Sequence, residues 1–113
     1  MKLIRAIVRP EREAQVIQSL EAAGVVSLTK MDVLGRGQQR GIQVGPSFYD
    51  EIPKVQLLLV VEEAQVEPAL QAIASAAHTG RHGDGKVFIS PVEAAYTIRT
   101  SQPNAAALPA TST

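Results

Sequence analysis

The sequence predicts an α+β fold: the ferredoxin-like (βαβ)2 sandwich, with an antiparallel sheet and both helices on one face. Three observations support this prediction. The chain has 113 residues, the size of one domain. Its apolar periodicity gives the order strand, helix, strand twice. A long polar segment rich in glycine separates the two halves. The hydrophobic fraction of 45% suffices for one core, and a domain this small commonly gains further burial by oligomerisation.

The first half contains a strand, a helix and a second strand. Leu3–Val8 is apolar and β-branched, which predicts a buried strand. Pro10 ends that strand and can open a helix, because a first-turn residue needs no backbone donor. Helical spacing of apolar residues then runs over Glu11–Ala23, and Gly24 is placed to end the helix as a C-cap. Val25–Leu34 is the second predicted strand.

The second half begins after a segment of different character. Arg36–Pro53 reads as a long mobile loop, and loops of this length inside a small domain usually have a function. Lys54–Val61 is a third strand, whose continuous apolar run suits burial on both faces. Val66–Ala77 is a second helix, with Pro68 in its first turn. Two shorter strands are predicted at Val87–Ile89 and Ala95–Thr100. The domain therefore spans 1–100, and 101–113 is predicted to be a disordered tail.

Composition excludes several classes of function. The chain has 11 basic and 11 acidic residues, unlike the basic footprint of a nucleic-acid binder. It has no cysteine, which excludes disulfides and thiolate chemistry. Its longest apolar run, Leu57–Val61, is far too short to span a bilayer, so we expect no membrane insertion. No secretory signal core is apparent at the N-terminus, and a cytoplasmic location is expected.

Two glycine-rich polar loops are the candidate binding features. Gly35–Gly41 and Gly80–Lys86 each contain three glycines, which permit backbone shapes whose amide groups converge on an anion. Nearby cations that could reach phosphates are Arg40, Lys54, Lys86 and Arg99. The alternative is that both loops are ordinary turns and the cations are solvated, and spacing alone does not separate the two interpretations. Neither loop has the spacing of a Walker motif.

Several individual polar residues also allow two interpretations, a ligand or metal contact and an ordinary structural role. Gln39 could sit beside a metal-bound ligand or simply be an exposed loop side chain. Asp84 could contact a ligand, although stabilisation of its own turn is the stronger interpretation. His78 and His82 do not make a metal site without further ligands. No catalytic triad or carboxylate pair can be defended, so an enzyme is not predicted.

A family resemblance rests on several stretches in one register. Gly83-Asp84-Gly85-Lys86-Val87-Phe88, preceded by Thr79-Gly80, resembles the signature of the PII signalling proteins. Agreement continues at Ile4–Pro10, Gly35–Gly41, Pro53-Lys54 and Ile98-Arg99-Thr100. The resemblance covers residues 1–100. It implies a homotrimer with nucleotide sites in the clefts between subunits. It also implies that the loop 36–53 is an effector loop, whose shape depends on the binding of ATP, ADP and 2-oxoglutarate.

The resemblance also assigns residues to the two ligands. The phosphate-binding loop would be Gly83, Asp84, Gly85 and Lys86, with Arg99 reaching the phosphates from the neighbouring subunit. The adenosine and phosphate cleft would be lined by Ile7, Thr29, Gly35, Gly37 and Val60. Gln39 would complete the Mg²⁺ site that holds 2-oxoglutarate with ATP. Lys54 would pair with a carboxylate of that acid, and Gly41 would contribute an amide.

Three departures from the family pattern point to a subgroup. Gln38 stands where nitrogen regulators usually carry an arginine, Thr97 replaces one of two alternating arginines, and Leu58 replaces an acidic residue. The preference between ATP and ADP therefore stays open. The segments at Leu34–Gly37 and Ala95–Thr100 resemble the nitrogenase-associated PII proteins. This resemblance implies regulation of nitrogenase or another nitrogen-metabolism protein by direct contact, in a homotrimer or a mixed oligomer with a second PII paralogue.

Two other functions remain as alternatives. A PII-like regulator of a transporter or of carbon assimilation would keep the nucleotide site but bind another small ligand, for example bicarbonate. A slow nucleotide hydrolase would need phosphate and magnesium in the clefts, but the sequence offers no identifiable base.

Overall fold

Alternating burial along the strands of the computed structural model shows how the predicted layers form. The structure describes residues 1–36 and 51–103, and of the segment between them only the backbone of two short strands. Its elements are β1 (Lys2–Val8), a 3-10 turn (Pro10–Arg12), α1 (Glu13–Ala22), β2 (Thr29–Gly35), β3 (Ile42–Val44), β4 (Ser47–Tyr49), β5 (Ile52–Val61), α2 (Glu63–Ala77), β6 (Gly85–Pro91), β7 (Tyr96–Thr97) and β8 (Gln102–Pro103).

The main sheet has four strands in the order β2-β5-β1-β6, and every neighbouring pair is antiparallel. The two halves β1-α1-β2 and β5-α2-β6 therefore interleave their strands, which confirms the predicted ferredoxin-like α+β fold. β1 and β5 are central, and β2 and β6 form the edges.

The core lies between the sheet and the two helices. Every second residue of β1 and β5 is buried there, and the helices contribute residues at helical spacing: Ile4, Ala6, Val8, Val55, Leu57, Leu59 and Val61 from the strands, with Val16, Leu20 and Ile73 from the helices. Burying one such large aliphatic side chain contributes roughly 1.5–3 kcal/mol. This core fixes the register of β1 and β5, because a slip of one residue would expose its strand side chains.

The helix ends explain two differences from the sequence prediction. Gly24 adopts a φ of +88°, and the Val25 amide donates to Leu20 O at 2.9 Å. Val25 therefore closes α1 instead of starting a strand, and β2 begins only at Thr29. Helix α2 begins at Glu63, three residues earlier than predicted, because Glu62 and Gln65 form a capping box. Pro68 consequently lies in the second turn, not the first.

The predicted bounds of three further segments differ from the structure. β6 runs over Gly85–Pro91 and not only Val87–Ile89, because it pairs with the whole length of β1. The predicted strand Ala95–Thr100 is reduced to β7, which pairs with β8 around a turn where Ser101 donates to Thr97 O at 2.8 Å. β8 lies inside the predicted tail, whose residues 104–113 are outside the described part.

The predicted loop Arg36–Pro53 contains a short antiparallel pair, β3 with β4. The rest of its central part, 37–41, 45–46 and 50, lies outside the described residues. Within the described chain, the helices are too short or too polar to cross a membrane.

The sheet face opposite the helices has no covering element among the described residues. By register it carries Leu3, Ile7, Met31, Leu58, Val60 and Phe88, together with Arg5, Gln56 and Lys86. Met31, Val60 and Phe88 are 42%, 39% and 50% exposed. Such a largely apolar sheet face is typical of a surface that another protein chain covers.

Candidate functional site

Strand register brings charged residues together at one end of the sheet. Val8 lies opposite Val55 on β5 and opposite Gly85 on β6. Continuing both pairings by one residue places Arg9 between Lys54 and Asp84. The glycine loop, which we define as residues 79–86, joins α2 to β6 at this same end. The fold therefore places two cations beside the loop.

Asp84 anchors the glycine loop to its own first residues. Its Oδ2 accepts the Thr79 amide at 2.8 Å and the Gly80 amide at 2.9 Å, and its Oδ1 accepts the Thr79 hydroxyl. These hydrogen bonds, above all those from Thr79, hold the pKa of the Asp84 carboxyl well below its usual range. Asp84 is therefore an ionised acceptor that closes the loop on itself.

Arg9 joins the loop to the end of β1. Its Nε donates to Asp84 Oδ1 at 3.1 Å, and its Nη2 donates to the carbonyl of His82 at 2.7 Å. The ion pair is largely shielded, with side-chain exposures of 18% for Arg9 and 23% for Asp84. A planar guanidinium can make both bonds at once, which a lysine ammonium at this position cannot reproduce.

Lys54 approaches the loop from β5. Its ammonium donates to the carbonyl of Gly83, and its side chain is among the buried ones. Burial, followed by the charge of Arg9, lowers the Lys54 pKa. Gly35 makes room for the lysine stem, because a Cβ built there would lie 3.1 Å from Lys54 Cγ. Gly35 and the stem of Lys54 are thus in close contact, and the ligand roles that the resemblance gives them stay predictions.

Two loop glycines are required by geometry. Gly85 has a φ of +110°, and a Cβ there would lie 1.7 Å from Ile7 O, so only glycine fits against β1. Gly83 has a φ of +95° and lies against both cations: its built Cβ would be 3.4 Å from Arg9 Nη2 and 3.4 Å from Lys54 Nζ. The carbonyls of His82 and Gly83 are occupied by these cations, whereas their amides donate to no other described residue.

The remaining predicted residues fall into separate groups. Lys86 is exposed at the start of β6, beside Ile7 in the sheet register. Thr29 lies at the far end of β2, six residues from Gly35, and Val60 lies six residues from Lys54 along β5. Six strand residues span about 20 Å, so the structure does not bring this pair to the glycine loop within one subunit.

Arg99 also stands apart from the loop. It is exposed in the turn after β7, and no hydrogen bond or ion pair joins it to residues 79–86 in the described chain. Gly37, Gln38, Gln39 and Gly41 lie outside the described residues, so their expected contacts stay predictions.

The groove beside the glycine loop is small. Its volume is about 180 Å³, and it is lined by Ile7, Ile73, Ala77, His78 and Lys86 among others. Sites that enclose ligands of drug size usually measure roughly 300–1,000 Å³. This groove therefore cannot enclose a whole nucleotide without a second surface. Among the described residues, no cluster of three His or acidic side chains is arranged to hold a metal ion.

Sequence reasoning did not single out two residues of this site. Thr79 appeared only as part of a motif, and Arg9 only within a matching stretch. Arg9 gave a usable signal, because it directly follows the first strand and precedes Pro10. Its partners are 75 and 73 positions away, however, so only the pairing register could identify them.

Comparisons with known proteins give matches over most of the chain. The family model described as "Nitrogen regulatory protein P-II" matches residues 1–102. The chain is 52% identical over 100 residues to "Nitrogen fixation nifHD region glnB-like protein 1" of Methanococcus maripaludis, covering 88% of this chain and 95% of that protein. It is 54% identical over 100 residues to the protein of that name from Methanobacterium ivanovii, with the same coverage. It is 41% identical over 106 residues to "Nitrogen regulatory protein P-II" of Azospirillum brasilense, covering 90% of this chain and 95% of that protein.

Proposed function

Since the chain belongs to the nitrogen regulatory protein P-II family, we propose that it senses nitrogen and energy status by binding ATP or ADP with 2-oxoglutarate. In this proposal the bound ligands favour different conformations of the loop 36–53, and only one of these conformations binds the partner protein. The family consists of signalling regulators and not of enzymes, and the similar proteins named for the nifHD region match the nitrogenase-associated subgroup.

The glycine loop carries the proposal for the nucleotide. Its carbonyls at His82 and Gly83 are bound by Arg9 and Lys54, whereas the amides of the same residues have no acceptor among the described residues. Backbone amides in this arrangement, next to an exposed Lys86, suit the oxygens of a phosphate chain. Phosphate is the ligand class that this loop fits best.

The two cations beside the loop support a second, acidic ligand. Lys54 and Arg9 both lie against Gly83, and burial, followed by the charge of Arg9, lowers the pKa of Lys54. A carboxylate placed between them would relieve that repulsion. 2-Oxoglutarate would bind there through Lys54, with Mg²⁺ held by Gln39 and the ATP phosphates.

An oligomer would complete the site. Thr29 and Val60 are distant from the glycine loop in one subunit, and the uncovered sheet face is largely apolar. Among the described residues, no hydrogen bond or ion pair joins Arg99 to that loop. A trimer, either homomeric or mixed with a second PII paralogue, would bury this face and bring such residues to a neighbour's loop. The proposed partner is a nitrogen-fixation protein, because the relatives' names refer to a nitrogen-fixation region.

Isothermal titration tests the proposal directly. The full chain should bind ATP or ADP, and 2-oxoglutarate should bind when ATP and Mg²⁺ are present. Binding of nucleotide but not of 2-oxoglutarate would contradict the sensing proposal and favour a PII-like regulator with another ligand.

The variant Lys86→Ala tests the nucleotide site of this proposal. We expect a roughly tenfold or greater loss of ATP affinity, because hydrogen bonds to charged groups contribute about 1.5–3 kcal/mol. Thermal stability without ligand should stay close to wild type, since Lys86 is exposed and forms no ion pair with the described residues. Arg81→Ala, which removes another exposed loop cation, is the control and should affect ATP binding much less.

A further inference from the structure

The hydrogen bonds of Asp84 assign it a different task from ligand contact. We propose that Asp84, Arg9 and Thr79 are positioning residues, which hold the glycine loop in the shape that receives phosphate without touching the nucleotide themselves. The inference rests on the proposed nucleotide site, and it changes the role that the resemblance gave to Asp84.

Asp84 has little acceptor capacity left for anything outside its loop. Its carboxylate already receives the amides of Thr79 and Gly80, the Thr79 hydroxyl and Arg9 Nε. A carboxylate offers about four lone-pair sites, so these donors fill it. A carboxylate next to phosphate would also repel it, and the ion pair with Arg9 offsets that charge.

Arg9 fixes the glycine loop relative to the end of β1. Because its Nε and Nη2 bind on either side of Gly83, at Asp84 and at the His82 carbonyl, the guanidinium fixes a three-residue segment relative to the sheet. The carbonyls turned toward Arg9 and Lys54 leave the amides of His82 and Gly83 for a ligand. The phosphate site is then formed before the ligand arrives, which lowers the entropic cost of binding.

Thr79 closes the other side of the loop. Its hydroxyl donates to Asp84 and also accepts the Arg81 amide at 3.2 Å. One hydroxyl therefore connects the start, the middle and the end of the turn. Valine has nearly the same shape without the hydroxyl, and serine keeps the hydroxyl without the methyl group.

The experiment compares ATP with adenosine on full-length variants. In Thr79→Val and Arg9→Lys, we expect ATP affinity to fall roughly tenfold, the size expected when a hydrogen bond to a charged group is lost. Adenosine affinity should change less than twofold in both, because adenosine has no phosphate to bind at the loop. Thr79→Ser should bind ATP within about twofold of wild type.

Equal losses for ATP and adenosine would overturn the inference, because they would indicate general damage to the fold. Unchanged ATP affinity in both variants would overturn it too. Failure of wild type to bind ATP would instead contradict the proposed function.

A second measurement tests the loop directly and without ligand. Hydrogen exchange of the Thr79 and Gly80 amides should become faster in Thr79→Val and in Arg9→Lys, with exchange in β1 unchanged. Exchange as slow as in wild type would overturn the positioning role.

Discussion

The glycine loop and the C-terminal hairpin formed by β7 and β8 both carry residues expected to meet phosphate, yet they are held in opposite ways. The loop is attached to β1 and β5 by side chains from 75, 73 and 29 positions away. The hairpin is closed by local bonds such as Ser101 to Thr97, and Ile98 within it is 93% exposed. One region is shaped by distant contacts within the subunit, whereas the other is closed by local bonds and leaves an apolar side chain exposed.

This difference separates two kinds of binding residue. Lys54 and the loop glycines owe their geometry to the register of one chain. Among the described residues, no hydrogen bond or ion pair joins Arg99 to the loop, and so its proposed phosphate contact would come from a second subunit. We therefore expect loop variants to alter the subunit itself, and hairpin variants to alter assembly.

The largest expected effect is at Gly85. Gly85→Ala would place a Cβ 1.7 Å from Ile7 O, at a φ of +110°, so either β6 or β1 must move. We expect the free energy of unfolding to fall by about 3 kcal/mol or more, since strained backbone and lost strand pairing add together. Chemical denaturation measures this change.

Gly24→Ala is the matched control for that variant. Gly24 also has a positive φ, of +88°, but nothing lies within 4 Å of its built Cβ. Gly24→Ala should therefore lower the free energy of unfolding only by the cost of an alanine at positive φ, about 1–2 kcal/mol. Equal destabilisation of the two variants would show that the contact with β1 does not restrict the glycine loop.

Asp84 should give the next largest effect, visible as a pH dependence. Its pKa is lowered in the folded chain from an ordinary value of 3.8, chiefly by the hydrogen bonds from Thr79. The ionised form therefore stabilises the fold above pH 4, and this contribution is lost as pH falls further toward the lowered pKa. The melting temperature of wild type should exceed that of Asp84→Asn at pH 7, and the gap should narrow below pH 4.

An exposed carboxylate provides the control for that titration. Glu93→Gln removes a charge outside the glycine loop, and it should show no comparable gap at pH 7. A gap for Asp84→Asn that stays constant from pH 7 to pH 3 would contradict the ionic anchoring of the loop.

The two regions also differ in how far the sequence could predict them. Both helices followed from the spacing of buried residues such as Ile73, whereas β1 and β5 followed from continuous runs of apolar residues such as Leu57–Val61. The start of β2 was missed, because Val25 is apolar but closes α1. β8 was missed because a two-residue strand has no period to detect. At the site, motif residues such as Asp84 were found, but their roles depend on bonds to Arg9 that only the folded register creates.

Ile98 should have the smallest effect on the subunit and a clear one on assembly. Because its side chain is 93% exposed, Ile98→Ser removes almost no packing within one chain, and we expect a change in subunit stability within about 0.5 kcal/mol. If the hairpin packs on a neighbour, the same change loses buried apolar area there. Analytical ultracentrifugation should then detect dissociation at a higher protein concentration than for wild type.

Val26→Ser is the control, because Val26 is 52% exposed but lies in the connection after α1, away from the hairpin. Assembly as tight in Ile98→Ser as in Val26→Ser would place the hairpin outside the interface, and Arg99 would then need another route to the phosphates.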